Sequence, residues 1–225
     1  MTRLFPVWLV LGLCCLPPAS RCGVIRGTLH VPSATALEAG AKATRTGARR
    51  VRDGQRPART PRGAATDAVV YVEQVPAAAE SALAAGAVPA TLAQIDFAFV
   101  PRVLSIAAGD TVDLPNFDNV YHNAFSLSPT KNFDLGRLGR GQSGRVVFER
   151  PGLINVYCSL HSSMAAFVLV LPHHAFARPD STGVFALPPL PAGRYTVCVW
   201  HPDLRGLRRE VRLEDTGDLV LDLSL

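Results

Sequence analysis

The sequence predicts an all-β protein made of two β-sandwich units, on three observations. Short runs rich in β-branched and aromatic residues recur from Gly23 to the C-terminus, turn-forming residues separate them, and no long amphipathic helical stretch interrupts them. The length of 225 residues suits one large or two small cores, since a single core usually occupies about 100 to 150 residues.

Residues 1–20, MTRLFPVWLVLGLCCLPPAS, have a basic start, a short apolar stretch and then small residues with prolines. This is the build of a secretory signal, so the chain is expected in the periplasm or otherwise exported. The apolar stretch is too short for a membrane helix, which needs about 20 apolar residues, and the protein is not expected to be integral to a membrane. Cys22 lies where a lipidated first residue would sit, but the large charged Arg21 before it argues against a lipoprotein. After removal of the signal the chain keeps Cys22, Cys158 and Cys198. An odd count is no disulfide scaffold, and a pairing of Cys22 with Cys198 stays open. In an oxidising compartment a thiol such as Cys158 needs burial, a partner or a metal.

GVIRGTLHV (23–31) and DAVVYVEQV (67–75) read as two strands. Between them, residues 38–65 are rich in Ala, Thr, Gly, Pro and Arg, and eight basic residues between Lys42 and Arg62 face only Asp53. Such a segment buries too little apolar surface to order itself and reads as an exposed basic loop, or as a docking site for an acidic partner or membrane surface. The net charge of +5 therefore sits in one stretch; the rest is slightly acidic, and nucleic-acid binding is not indicated. Residues 76–93 are alanine-rich with Gly86 and Pro89, and read mainly as a connector with room for a helical turn.

Residues 94–171 hold six strand-like runs, QIDFAFVP, VLSIAAGDTVDL, NAFSLS, GRVVFE, LINVYC and AAFVLVLP, in a sandwich or barrel pattern. Residues 173–225 add GVFALPPL, GRYTVCVWH, LRREVRL and LVLDLSL. A unit of about fifty residues is marginal alone. Joined with residues 24–75 it makes a sandwich of six or more strands, with the middle unit inserted between its halves.

The chemistry concentrates in Tyr157-Cys158-Ser159-Leu160-His161-Ser162-Ser163-Met164, where a thiol, an imidazole and a thioether fall within seven positions. Soft sulfur donors with imidazole suit copper, and a His₂Cys plane with a weak axial Met describes an electron-transfer site. His122, some thirty-five residues upstream in PNFDNVYHNAF, is the natural fourth ligand. Structural zinc is disfavoured because methionine is not among its usual donors. A binuclear copper centre would need a second cysteine where Ser159, Ser162 and Ser163 stand, and paired His-x-His motifs are missing. A Cys-His nucleophile pair lacks an orienting third group. His173, His174 and His201 have no ligand partners at metal spacing and read as packing or surface residues. Trp200 reads as core, or as an exposed edge that stacks on sugar.

Over residues 94–171 the motifs PNFDNVYHN, FDLG, the Pro151-Gly152 turn and YCSLHSSM resemble cupredoxins, especially amicyanin and the methylamine utilisation proteins of that type. The resemblance implies a Greek-key β-sandwich with one mononuclear Cu(I)/Cu(II) ion. Cys158 would then be the thiolate ligand, His122 the interior and His161 the partner-facing histidine, and Met164 the axial ligand. Asn123 would tie two loops together and support the cysteine sulfur, or it is simply a surface Asn at a turn. The implied role is periplasmic one-electron transfer without any transformed substrate, through a transient redox protein partner docking near His161. The run DSTGVFALPPLPAGRYTVCVWHP, with DAVVYVE, resembles a carboxypeptidase-regulatory-like (transthyretin-like) domain. That resemblance implies a second, split sandwich and leaves one alternative, a carbohydrate-binding or adhesion module with a secondary copper site; a copper carrier is a further alternative reading of the copper site itself.

Overall fold

The computed structural model describes residues 22–32, 64–215 and 217–225. The expected signal segment (1–20) and almost all of the basic loop (38–65) lie outside them. The described residues are nearly all β, as the sequence predicts. In chain order, β1 (Cys22–Gly23), β2 (Ile25–His30) and β3 (Val69–Val72) come first, and α1 (Ala77–Ala85) follows. Next are β4 (Ala90–Thr91), β5 (Ala93–Ile95), β6 (Ala98–Val100), β7 (Val103–Ala107), β8 (Thr111–Pro115), β9 (His122–Ser128), β10 (Lys131–Leu138), β11 (Ser143–Val147), β12 (Gly152–Tyr157) and β13 (Ala165–Leu171). The last are β14 (Phe176–Ala177), β15 (Val184–Ala186), β16 (Leu190–Pro191), β17 (Gly193–Trp200), β18 (Leu207–Leu213) and β19 (Leu219–Ser224).

Two cores organise these strands. The first lies between a five-stranded sheet, β10-β9-β12-β13-β7, and a three-stranded one, β11-β8-β4. Period-2 alternation puts Ile154 and Val156 of β12, and Val112 and Leu114 of β8, into this core beside Phe148. The second core lies between β14-β3-β17-β18 and β15-β2-β19, and so joins both ends of the chain. There β2 runs parallel to β19, packing Ile25 and Leu29 with Leu221 and Leu223.

The unbroken apolar run of β13 follows from burial on both faces. Val168 and Val170 point into the first core, while Leu169 and Leu171 meet Val103 and Val69 in a third small cluster between the two units. Tyr71, Phe167, Phe176 and Trp200 pack around that cluster. Arg102 closes it: its guanidinium lies 2.5 Å from Asp67 and 3.0 Å from Asp203, and sits over the Phe167 ring. Asp67 is buried, so this pair is desolvated and cannot be cut on one side without stranding a charge.

Three features differ from the sequence reading. The connector carries a nine-residue helix, α1, because its Ala-rich run has high helix propensity until Gly86 ends it. The first unit begins before Gln94, since β4 pairs parallel with β8 and Leu92 is fully buried. Strand β10 is absent from the runs read as strands because Gly136, at φ +66°, sits in a register shift between Asp134 and Arg137 that breaks the alternation. Cys198 is a buried free thiol, so it forms no disulfide with Cys22. Among the described residues no helix is long and apolar enough to cross a membrane.

Candidate metal centre

The site forms where two loops meet at one end of the five-stranded sheet. His122 opens β9, and Cys158 follows the last residue of β12. These strands are neighbours, with Tyr157 registered opposite Phe125, so the pairing carries both side chains to the same edge. The loop after Cys158 closes on itself: Met164 N–H donates to His161 O at 3.0 Å, and Cys158 N–H donates to Met164 O at 3.3 Å. That turn places His161 back over the cysteine.

Cys158 Sγ lies 4.0 Å from His122 Nδ1 and 3.8 Å from His161 Nδ1, and the two Nδ1 atoms are 3.0 Å apart. Among the described residues this is the one group of three His, Cys, Asp or Glu side chains gathered closely enough to hold a metal ion. The spacings test the fit. The three ligand atoms all lie within 4.8 Å of one another, close enough for a thiolate and two imidazoles to hold one ion together. That donor set, with a methionine close by, suits copper better than structural zinc, whose usual donors do not include a thioether. Met164 is buried in the same core cluster as Cys158.

Asp118 sets the nitrogen that faces inward. Its Oδ2 lies 2.7 Å from His122 Nε2, so an Nε2–H donated to the carboxylate leaves the Nδ1 lone pair directed at the cysteine. The same carboxylate accepts the main-chain N–H groups of Asp96 (2.8 Å) and Phe97 (3.0 Å). Burial opposes the Asp118 charge, but the bonds from Phe97, His122 and Asp96 outweigh it and hold the carboxyl below its ordinary range. Asp96 and Phe97 both adopt positive φ, 51° and 58°, at the tip of the β5–β6 hairpin. Non-glycine residues pay for that conformation, and the Asp118 bonds offset the cost. The turn aims the Phe97 ring edge-on at both imidazoles, with centroids 5.7 Å from His122 and 5.0 Å from His161.

His122 is fully buried and His161 partly exposed. Burial, with the neighbouring His122, lowers the His161 pKa against a smaller opposing pull from Asp118. A lowered value favours the neutral imidazole, the form that binds metals. Asn123 is buried rather than a surface residue at a turn. Its Nδ2 donates to Asp134 at 2.6 Å, its Oδ1 accepts from Ser159 N–H at 3.1 Å, and its own main-chain N–H points at Cys158 Sγ from 3.5 Å. It thus fastens the cysteine loop to β9 and β10 and donates to the sulfur.

Asp118, Asp134 and Phe97 lie in motifs the sequence reading quotes but are not among the site residues it names. Phe97 comes from a hairpin distant in sequence, and a loop rather than a helix joins Asp118 to His122, so their four-residue spacing carries no periodic signal. His173 and His201 are buried and bond to main-chain oxygens, Glu73 O and Ala64 O respectively, as packing residues do.

Asp118→Ala is expected to weaken metal binding by roughly 10- to 100-fold, as loss of a histidine-orienting carboxylate commonly does. Competition titration with a chelator measures it. A depressed carboxyl stabilises the fold above its unfolded pKa, and that contribution is lost as pH falls through the folded value. In wild type, therefore, the β5–β6 hairpin should loosen only in acid.

No protein-family model and no curated protein matches the chain. Among solved structures, a copper-containing nitrite reductase from Thermus scotoductus SA-01 is 29% identical over 37% of this chain, with a TM-score of 0.35. The match spans 22% of that enzyme's length. A purple cupredoxin from Nitrosopumilus maritimus is 29% identical, covering 36% of this chain and 98% of its own, with a TM-score of 0.34. An amicyanin variant solved with Cu(I) is 19% identical over 46% of this chain and 98% of its own, with a TM-score of 0.35. At these scores the function rests on the site itself.

Proposed function

We propose that this chain is an exported mononuclear copper protein that passes single electrons between redox partners and transforms no substrate. The observation that carries the reading is the gathering of Cys158 Sγ, His122 Nδ1 and His161 Nδ1 within 4.8 Å of one another. Copper bound there would supply a one-electron Cu(I)/Cu(II) couple.

The chain's own residues do the rest. Cys158 would give a soft anionic donor inside an apolar core, and Met164, buried in the same cluster, would add a weaker thioether donor. Asp118 and Asn123 fix the ligands before any metal arrives, so the atoms move little when charge changes. His161 is the partly exposed ligand, and exposed Leu160, Phe117, Val120 and Tyr121 stand beside the two ligand loops. A partner would meet the site at this apolar rim through a small contact, as electron-transfer encounters bury under about 1,200 Å².

Titration of the purified protein with Cu(II) should saturate at one ion per chain, and the loaded protein should cycle repeatedly between oxidised and reduced forms without releasing it. Rapid transfer of copper to an acceptor with poor redox cycling would instead identify a carrier. The carbohydrate reading finds no support at Trp200, which packs against Phe167 between the units (centroids 6.0 Å apart).

A further inference from the structure

Helix α1 buries none of its nine residues. A helix so short does not hold itself in water, and apart from Leu83, half-buried against the second core, it has little apolar contact to keep it in place. Its polar tether is Glu80. Glu80 Oε1 lies 2.7 Å from His174 Nδ1, and Oε2 accepts the His174 main-chain N–H at 2.8 Å. On the other edge of the ring, His174 Nε2 lies 3.2 Å from Asp110 Oδ1. Asp110 is itself anchored in the β7–β8 turn, where its other oxygen accepts Ala107 N–H at 2.9 Å. One imidazole therefore joins the helix, the first unit and the segment that follows β13.

Beneath the helix is a cavity of about 780 Å³ whose walls include Leu83 of the helix, Leu104 and Ile106 of the first unit, and Phe176, Arg178 and Leu187 of the second. His174 and Asp110 of the tether also line it. A neutral imidazole has a single N–H and serves one carboxylate, leaving the other opposite a lone pair; an imidazolium serves both. We propose that His174 is a pH-operated latch, which holds α1 against the wall of this cavity most firmly while protonated and loosens that hold when the proton is lost.

Other groups near the ring leave this sense unchanged. Phe176 stacks beside it at 6.4 Å. Arg178, on the cavity wall, spends two donors on Thr66 O, and neighbouring His173 turns to Glu73 O. Burial disfavours the His174 charge, but the hydrogen bonds and fields of Glu80 and Asp110 outweigh it and raise the pKa. A raised folded pKa gives stability that is complete below the unfolded value and is lost as pH rises through the folded one. The latch thus opens toward alkaline pH. The main-chain bond from His174 to Glu80 survives deprotonation, so the helix loosens without the fold coming apart.

Amide hydrogen exchange of residues 77–85, corrected for the intrinsic effect of pH and compared with β12 in the same sample, tests this between about pH 5 and pH 8. Protection of α1 should fall several-fold as pH rises, with a midpoint matching the His174 titration seen by NMR, while β12 stays constant. His174→Gln should abolish the pH response, and the partly exposed Glu80→Gln should lower protection at every pH. A wild-type helix whose protection ignores pH, a His174→Gln protein that keeps the response, or a Glu80→Gln protein with unchanged protection would each overturn the latch. None of these readouts depends on copper.

Discussion

Cys158→Ser is expected to remove the intense visible absorption of the Cu(II)-loaded protein and most of its affinity for copper, while leaving the fold intact. The absorption would arise from charge transfer out of a soft, easily oxidised thiolate, and a serine hydroxyl stays protonated at neutral pH and offers a hard oxygen instead. The substitution nearly preserves volume in a position that is 4% exposed, so no sizeable cavity opens. The new hydroxyl can still accept the Asn123 main-chain N–H that now points at the sulfur. Thermal unfolding of the apo-protein should move by only a few degrees, in contrast to the complete loss of colour. A coloured Cys158→Ser protein would place the chromophore elsewhere.

Gly27→Val is expected to have the largest effect on stability. Gly27 lies mid-way along β2, the central strand of the three-stranded sheet in the second unit. A Cβ there would collide with the main-chain oxygen of Leu221 on the parallel neighbour β19. Backbone cannot turn aside as a flexible side chain can, so β2 and β19 must part and loosen Ile25, Leu29, Leu221 and Leu223 together. A cost of about 4 kcal/mol, at the top of the range for single substitutions, is expected in denaturant unfolding. Trp200 fluorescence is the suitable probe, because that residue packs at the boundary between the units and the other tryptophan, Trp8, lies in the expected signal. An unchanged midpoint would mean that the β2–β19 ladder contributes little to the second core.

Sequence legibility tracks how locally each feature is encoded. Strands such as β12 and β19 bury every second residue, so their periodicity shows in the chain itself. The Cys158, His161 and Met164 cluster is compact enough to read for the same reason. Asn123 needed the fold: its value lies in bonds to Asp134 and Ser159, on β10 and in the cysteine loop. Asp118 and Phe97 meet His122 through two loops and a positive-φ turn, none of which leaves a pattern in composition or spacing. His174 reads in sequence as one of several unremarkable histidines, because the carboxylates that face it stand 94 and 64 positions away. Helix α1 reads in sequence as no more than a helical turn, for a different reason. Its alanines give propensity without an amphipathic stripe, and it is held by Glu80 and the half-buried Leu83 rather than by a buried face.

The most direct test of the central claim is the visible and electron paramagnetic resonance spectrum of the wild-type protein loaded with one equivalent of Cu(II). A trigonal centre with a Cys158 thiolate predicts an intense visible band and an unusually small copper hyperfine splitting, both lost on reduction and regained on reoxidation. A colourless Cu(II) adduct with the wide hyperfine splitting of tetragonal nitrogen and oxygen coordination would contradict it.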